Sequence, residues 1–301
     1  MRVVLLGTAA GGGLPQWNCA CALCTAARDG RLPSRTRECA AITGNGRDWW
    51  LLNTSPDLRV QLTSTPALWP DQGARSIALR GVLLTDGEAH HVAGLAELCG
   101  TAGLKVYAPP PVRAALGPAR AALDRYTPWE WADSLADEGF VLAGGLVVTA
   151  HPVGARIPPY VPARAPAPPG PWATAYRVED LASGGVLVYA PCVGDPSPAL
   201  DDLCAGADCV LLDGAVFPAP DTEAADRRTP AHPDVAQATS DPLPGTGPDD
   251  PRATLARPPG PRRIPTRLSH TSPLLDPRSP AHARLTGLGT EVLPDGTELE
   301  L

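Results

Sequence analysis

The sequence predicts a layered α/β protein, and three observations predict it. Short aliphatic runs bounded by glycine or turn residues recur along the chain, and two segments of helical character lie between them. The chain also carries 30 glycines and 37 prolines among 301 residues, well above the roughly 12% of average usage. So many helix breakers exclude an all-helical bundle.

Taken in order, Arg2 to Leu6 is an aliphatic run stopped by Gly7 and reads as a buried strand emptying into a glycine-rich loop. Trp49 to Leu52, Ile77 to Leu84, Leu104 to Tyr107, Phe140 to Val148, Val186 to Tyr189 and Cys209 to Leu212 read as further strands, and Glu298 to Leu301 as the last. Helices fit Val92 to Cys99 and Pro111 to Leu123. Strands and helices in this order stack as layers within one domain, residues 1–301. Pro218 to Pro265 is proline-rich and has neither apolar period, so an irregular or disordered insert is expected there, with order resuming near Thr266.

The formal charge of −7 speaks against general nucleic-acid binding, which needs a basic face. No apolar run approaches the ~18 residues of a membrane span, and Val3 to Leu6 is too short for a signal-peptide core. A cytoplasmic protein is expected, whose 8 cysteines are reduced thiols or metal ligands rather than a disulfide framework.

Cys19-Ala-Cys21-Ala-Leu-Cys24 places three thiols in what reads as a loop. Such a cluster suits tetrahedral Zn²⁺, with His270 the expected fourth ligand of a closed, structural site. Asp86-Gly-Glu88-Ala-His90-His91 follows the strand that ends at Leu84, where α/β proteins place chemistry. Two imidazoles beside carboxylates resemble a transition-metal pocket, although the acids also suit a helix N-terminus. Cys192, Asp195 and Asp213 lie just past two later strands and are expected to converge on the same edge; Asp213 also fits an Asx turn. His151 and His232, each beside proline, read as surface or packing residues.

Gly7-Thr-Ala-Ala-Gly-Gly-Gly-Leu-Pro-Gln-Trp-Asn-Cys-Ala-Cys-Ala-Leu-Cys24, Leu52-Asn-Thr-Ser-Pro-Asp-Leu-Arg59, Thr65-Pro-Ala-Leu-Trp-Pro70, Asp208-Cys-Val-Leu-Leu-Asp-Gly214 and Thr271-Ser-Pro-Leu-Leu-Asp276 together resemble the pyrroloquinoline quinone biosynthesis protein B family. The resemblance implies a metallo-β-lactamase-type αββα sandwich of two mixed sheets with helices outside. It also implies a structural zinc on the three cysteines. Family members resemble Fe²⁺- and O₂-dependent hydroxylases acting on the tyrosine of a Glu-Tyr unit cut from a precursor peptide.

Departures from the family pattern fall at the metal positions. The superfamily's H-x-H-x-D-H reads as Asp86-Gly-Glu88-Ala-His90-His91, Cys192 stands at the bridging-aspartate place, and Arg267 aligns with the last metal histidine. Arginine stays protonated and cannot ligate a metal. A G-H-L-P phrase survives at best as Ala231-His232-Pro233. His270 falls where the family has asparagine, and in a related cyclic phosphodiesterase a histidine at the matching place completes the three-cysteine zinc site. The expected active centre is therefore one Fe²⁺ on His90, His91 and Asp213, with Cys192 a further candidate, Arg267 holding a substrate carboxylate, and Tyr160 and Arg177 lining the pocket. The expected reaction is hydroxylation of a tyrosine or related aromatic in a small peptide-derived precursor. The alternatives are a catalytically silent relative that binds the intermediate or a partner protein and, third, a metal-dependent hydrolase; a homodimer is the expected assembly.

Overall fold

Strands apolar at every position are the ones covered on both faces, and in the computed structural model they run through the middle of two sheets. The structure describes residues 1–70, 72–73, 79–136, 138–162, 168–193, 198–214 and 260–301. The first sheet comprises β1 (Arg2–Gly7), β2 (Cys39–Thr43), β3 (Trp49–Leu52), β4 (Leu79–Leu83), β5 (Lys105–Ala108), β6 (Glu130–Asp133) and, beside β1, β13 (Glu298–Glu300). Pairing is antiparallel from β13 to β3 and parallel from β3 to β6. The second sheet runs β12 (Arg262–Thr266), β11 (Cys209–Asp213), β10 (Val186–Ala190), β9 (Ala173–Asp180), β8 (Leu146–Gly154) and β7 (Phe140–Leu142). Its last three strands in chain order, β10, β11 and β12, are parallel, and the others antiparallel. Both sheets are mixed, as the resemblance implies.

Alternation along each strand divides the core into layers. Val3, Leu5, Ile42 and Leu52 of the first sheet pack with Leu146, Val178, Leu187, Leu211 and Ile264 of the second. On the outer face of the first sheet, Val4, Leu51 and Val82 meet Leu58 of α2 (Leu58–Thr63) and Val112 of α4 (Pro110–Ala115). On the outer face of the second, Val188, Val210 and Leu212 meet Cys24 and Ala27 of α1 (Ala22–Arg28) and Leu203 of α6 (Pro198–Cys204). Burying each of these Val, Leu and Ile side chains stabilises by about 1.5–3 kcal/mol. Among the described residues no helix is long and apolar enough to cross a membrane.

Four expectations need correction. Phe140 to Val148 is not one strand: Gly144 and Gly145 take φ of 99° and 81°, and the chain reverses into the β7–β8 hairpin. The helix expected from Val92 to Cys99 is α3 (Ala89–Val92) followed by a 3₁₀ segment Ala93–Leu98. The helix expected from Pro111 to Leu123 is broken into α4 and α5 (Gly117–Leu123), because Pro118 disfavours continuation through Gly117. The insert was expected to extend to Pro265, yet Arg262 to Thr266 form β12, aligned with β11 from Cys209 to Asp213 and burying Ile264 between the sheets. Most of the insert, with His232, and also Asp195, lies outside the described residues.

Parallel neighbours send their carboxyl ends the same way, so the turns after β3, β4, β10, β11 and β12 gather at one edge. Cross-sheet bonds hold that edge together: Tyr189 Oη donates to Leu52 O at 3.2 Å and Tyr176 Oη to Leu84 O at 2.7 Å.

Candidate metal centre and charged sheet edge

The glycine-rich loop after β1 brings Cys19 and Cys21 to the start of α1. Cys21 caps that helix and Cys24 lies in its first turn, so the triad is loop and helix rather than loop alone. Backbone amides point at the sulfurs: Gln16 N to Cys24 Sγ at 3.3 Å, Cys21 N to Cys19 Sγ at 3.4 Å and Cys24 N to Cys21 Sγ at 3.5 Å. Such bonds favour thiolate. Burial works against the Cys21 anion, yet the Cys24 amide and neighbouring thiols bring its pKa below the ordinary thiol value. Burial and the nearby Cys21 and Cys19 sulfurs push Cys24 up to about 12. That crowding of negative charge is what a divalent cation relieves. Arg28 fixes the loop by donating to Cys19 O and Gln16 O. Opposite it, His270 sits past β12, and the ligand atoms of Cys19, Cys21, Cys24 and His270 all lie within 4.8 Å of one another. Three sulfurs and one imidazole nitrogen are the donor set of a closed tetrahedral zinc site. Among the described residues this is the one group of three or more His, Cys, Asp or Glu side chains close enough to share an ion.

At the sheet edge His91 is fully buried in α3. Its Nδ1 lies 2.7 Å from Asp86 Oδ2, and its Nε2 faces Glu38 Oε2 at 3.6 Å. Burial disfavours the imidazolium, but Asp86 and then Glu38 raise the His91 pKa above its ordinary value. Reciprocally, burial opposes the Asp86 anion while His91 and the Thr85 hydroxyl hold its pKa well below the carboxylate range. Thr85 Oγ1 donates to Asp86 Oδ2 at 2.7 Å and Glu88 N to Oδ1 at 2.8 Å. Glu38 is raised by burial and accepts from Tyr189 Oη at 2.5 Å and Asn53 Nδ2 at 3.2 Å. Asn53, in the left-handed region at φ 63°, also bonds Thr85 in both directions.

Across the edge Arg267 meets Asp213. Its Nη2 donates to Asp213 Oδ2 and its Nε to Oδ1 at 3.2 Å, with Pro191 O a further acceptor at 2.7 Å. Burial disfavours the Arg267 cation, but Asp213, then Cys192, raise its pKa beyond the ordinary arginine value. Cys192 is held protonated by burial and by Asp86 and Asp213, against the opposing pull of Arg267.

The expected active ligands are thus neighbours, but they do not form one ligand set. Asp213 is engaged by a guanidinium, and His91 sits between two carboxylates. His90 and His91 lie ring to ring with centroids 4.2 Å apart, and the Nε2 of each is buried without a hydrogen-bond partner. Tyr160 does stand over the edge, donating to Gly87 O at 2.6 Å. Arg177 does not: its guanidinium binds Glu179 and the carbonyls of Leu203 and Ala205 beside α6. His151 bonds Thr149 on the partly exposed β8. Sequence reasoning gave no role to Glu38, Asn53, Thr85 or Tyr189, which complete the buried network; their one signal was polar residues abutting continuous apolar strands.

The comparisons agree with this architecture. A beta-lactamase superfamily domain model matches residues 48–240. Coenzyme PQQ synthesis protein B of Pseudomonas fluorescens (strain Pf0-1) is 33% identical over 309 residues, and that of Azoarcus sp. (strain BH72) 35% over 310, each covering 100% of both chains. The crystal structure of Zn²⁺-bound PqqB from Methylobacterium extorquens superposes with a TM-score of 0.82 at 30% identity over 100% of both chains. The chain therefore belongs to the coenzyme PQQ synthesis protein B family of the beta-lactamase superfamily.

Proposed function

We propose that the protein serves the biosynthesis of pyrroloquinoline quinone, or of a kindred peptide-derived cofactor, by binding a carboxylate-bearing intermediate at the sheet edge. The observation that carries this is the Arg267–Asp213 pair, a cation held where a metal ligand was expected. With Nε and Nη2 committed, Nη1 donates to no described residue, and the side chain is one-fifth exposed. A guanidinium so placed suits a planar carboxylate. Cys19, Cys21, Cys24 and His270 are assigned a structural Zn²⁺, supported by the donor set and by the zinc in the Methylobacterium relative. Calorimetric titration with a glutamyl-tyrosine peptide and with the quinone tests the binding role. Arg267→Gln should weaken binding by about tenfold or more, the value of a charge-assisted hydrogen bond; equal affinity of both proteins refutes it.

A second reading, an Fe²⁺- and O₂-dependent hydroxylase, is favoured by the buried, unpartnered Nε2 atoms of His90 and His91. Against it, the carboxylate that should complete the set is neutralised by Arg267. Anaerobic loading with excess Fe²⁺ decides between them: iron retained near one per chain after desalting supports the hydroxylase, and none retained beside a full complement of zinc supports the binding role.

A further inference from the structure

Arg267 takes a φ of 54°, in the left-handed region that a long side chain seldom adopts. Strain of this kind persists where surrounding contacts impose it, and here the contacts are those of the guanidinium with Asp213 and with Pro191 O. Asp213 is 1% exposed, and a buried carboxylate without a counter-ion is among the costlier groups a fold can carry. Asp213 sits against Arg267, and the imidazoles of His90 and His91 lie close enough to the guanidinium for its charge to act on both. Asp213 supplies oxygen, His90 and His91 each bring a buried nitrogen with no hydrogen-bond partner, and Cys192 is close enough to Asp213 and Arg267 to respond to both.

We propose that Arg267 is a resident cation that excludes divalent metal ions from the sheet edge, and that replacing it with histidine converts Asp213, His90 and His91 into a second metal site beside the structural zinc. The guanidinium neutralises Asp213 with two hydrogen bonds, which a metal would have to break. It cannot shed its proton to become a ligand. A second cation nearby would also meet its charge across a short, poorly solvated distance. The Asp213 charge is therefore met from within the chain. This inference rests on the metal-free reading of the edge given above.

The test compares wild type, Arg267→His and Arg267→Gln, each zinc-replete and each shown by circular dichroism to be folded. All are equilibrated anaerobically with Co²⁺, desalted, and assayed for metal content and for the visible absorption of protein-bound cobalt. Wild type should keep its zinc and no second ion, whereas Arg267→His should hold close to one further ion per chain. Arg267→Gln, which removes that guanidinium from Asp213 without adding a ligand, should bind Co²⁺ at least tenfold more tightly than wild type and more weakly than Arg267→His. Adding His91→Ala to Arg267→His should remove the second ion and leave the zinc. A folded Arg267→His that binds no second ion overturns the inference while leaving the carboxylate-binding role intact. Should Arg267→His fail to fold, Arg267→Gln binding no better than wild type overturns it equally. Wild type that itself retains a second ion overturns both the inference and the metal-free reading beneath it.

Discussion

Replacing His91 with alanine removes the imidazole that lies between two buried carboxylates. Asp86 is 3% exposed and Glu38 1% exposed, and the imidazole faces them at 2.7 and 3.6 Å. Breaking a buried ion pair by deleting one partner costs about 3–5 kcal/mol. Two features hold this case at the lower end. Asp86 keeps the Thr85 hydroxyl and the Glu88 amide, and Glu38, already raised by burial, can take up a proton in place of its lost partner. About 3 kcal/mol of destabilisation is therefore expected, which for a chain of this size lowers Tm by roughly 5 °C. Urea unfolding of zinc-replete protein, followed by tryptophan fluorescence, measures it. In a double-mutant cycle Glu38→Gln should cost less in the His91→Ala background than in wild type, since the Glu38 carboxylate has then already lost the imidazole it faces. A His91→Ala protein within about 0.5 kcal/mol of wild type, the range of an inconsequential surface change, would show that His91 does not hold these carboxylates and refute the account of the edge.

Other expectations follow from the same geometry. Cys21→Ser should lower zinc content below one per chain and lower Tm, because binding energy at a structural site is folding energy; Cys99→Ser, outside the thiol cluster, should change neither. Gly94→Ala should destabilise by about 1–3 kcal/mol through overpacking, since its Cβ would lie 2.1 Å from the Ser55 carbonyl oxygen; a thermal midpoint equal to wild type contradicts that close approach. Removing zinc with a chelator should weaken carboxylate binding at Arg267 as well as loosen α1, read by calorimetry before and after metal is restored.

Elements buried on both faces were the legible ones. β1, β3, β10 and β11 are runs of aliphatic and aromatic residues, and burial leaves their sequence no polar alternation to obscure them. β2 is Cys-Ala-Ala-Ile-Thr and β6 is Glu-Trp-Ala-Asp, too short or too mixed to stand out, and β9 carries Arg177 and Glu179 among its apolar residues. β12 was hidden by Pro265 in a proline-rich context, although the edge position it occupies beside β11 tolerates proline. The thiol cluster was legible because three cysteines within six residues signal a ligand set by spacing alone. His270 was reached through the resemblance as well, and the fold brings it across a long stretch of chain to meet them. The partnership of Arg267 with Asp213 could not be read from residue types. It depends on β11 and β12 being parallel neighbours with Asp213 opposite Thr266, a register that places the next residue, Arg267, beside the carboxylate.

The same register ties the thiol cluster to the charged edge. Arg267 and His270 lie three residues apart on the segment leaving β12, and between them Leu268 is fully buried. Leu268 N donates to Thr8 O at 2.9 Å and Ala10 N donates to Leu268 O at 2.8 Å, so this segment is stitched to the glycine-rich loop after β1. That loop leads directly into Cys19, Cys21 and Cys24. Arg37 adds a further tie, donating to Gly11 O at 2.8 Å and pairing with Asp57 at 2.9 Å. An ion bridging the three thiols and His270 would clamp loop and segment at one end, while the Arg267–Asp213 pair clamps the segment to β11 at the other. The backbone between these clamps is too short to absorb a shift at His270 without moving Arg267, whose φ of 54° is already imposed by its contacts. On this geometry the cysteine cluster is more than a remote structural staple: it sets the position from which the guanidinium meets Asp213, and with it the charge presented to a ligand at the sheet edge.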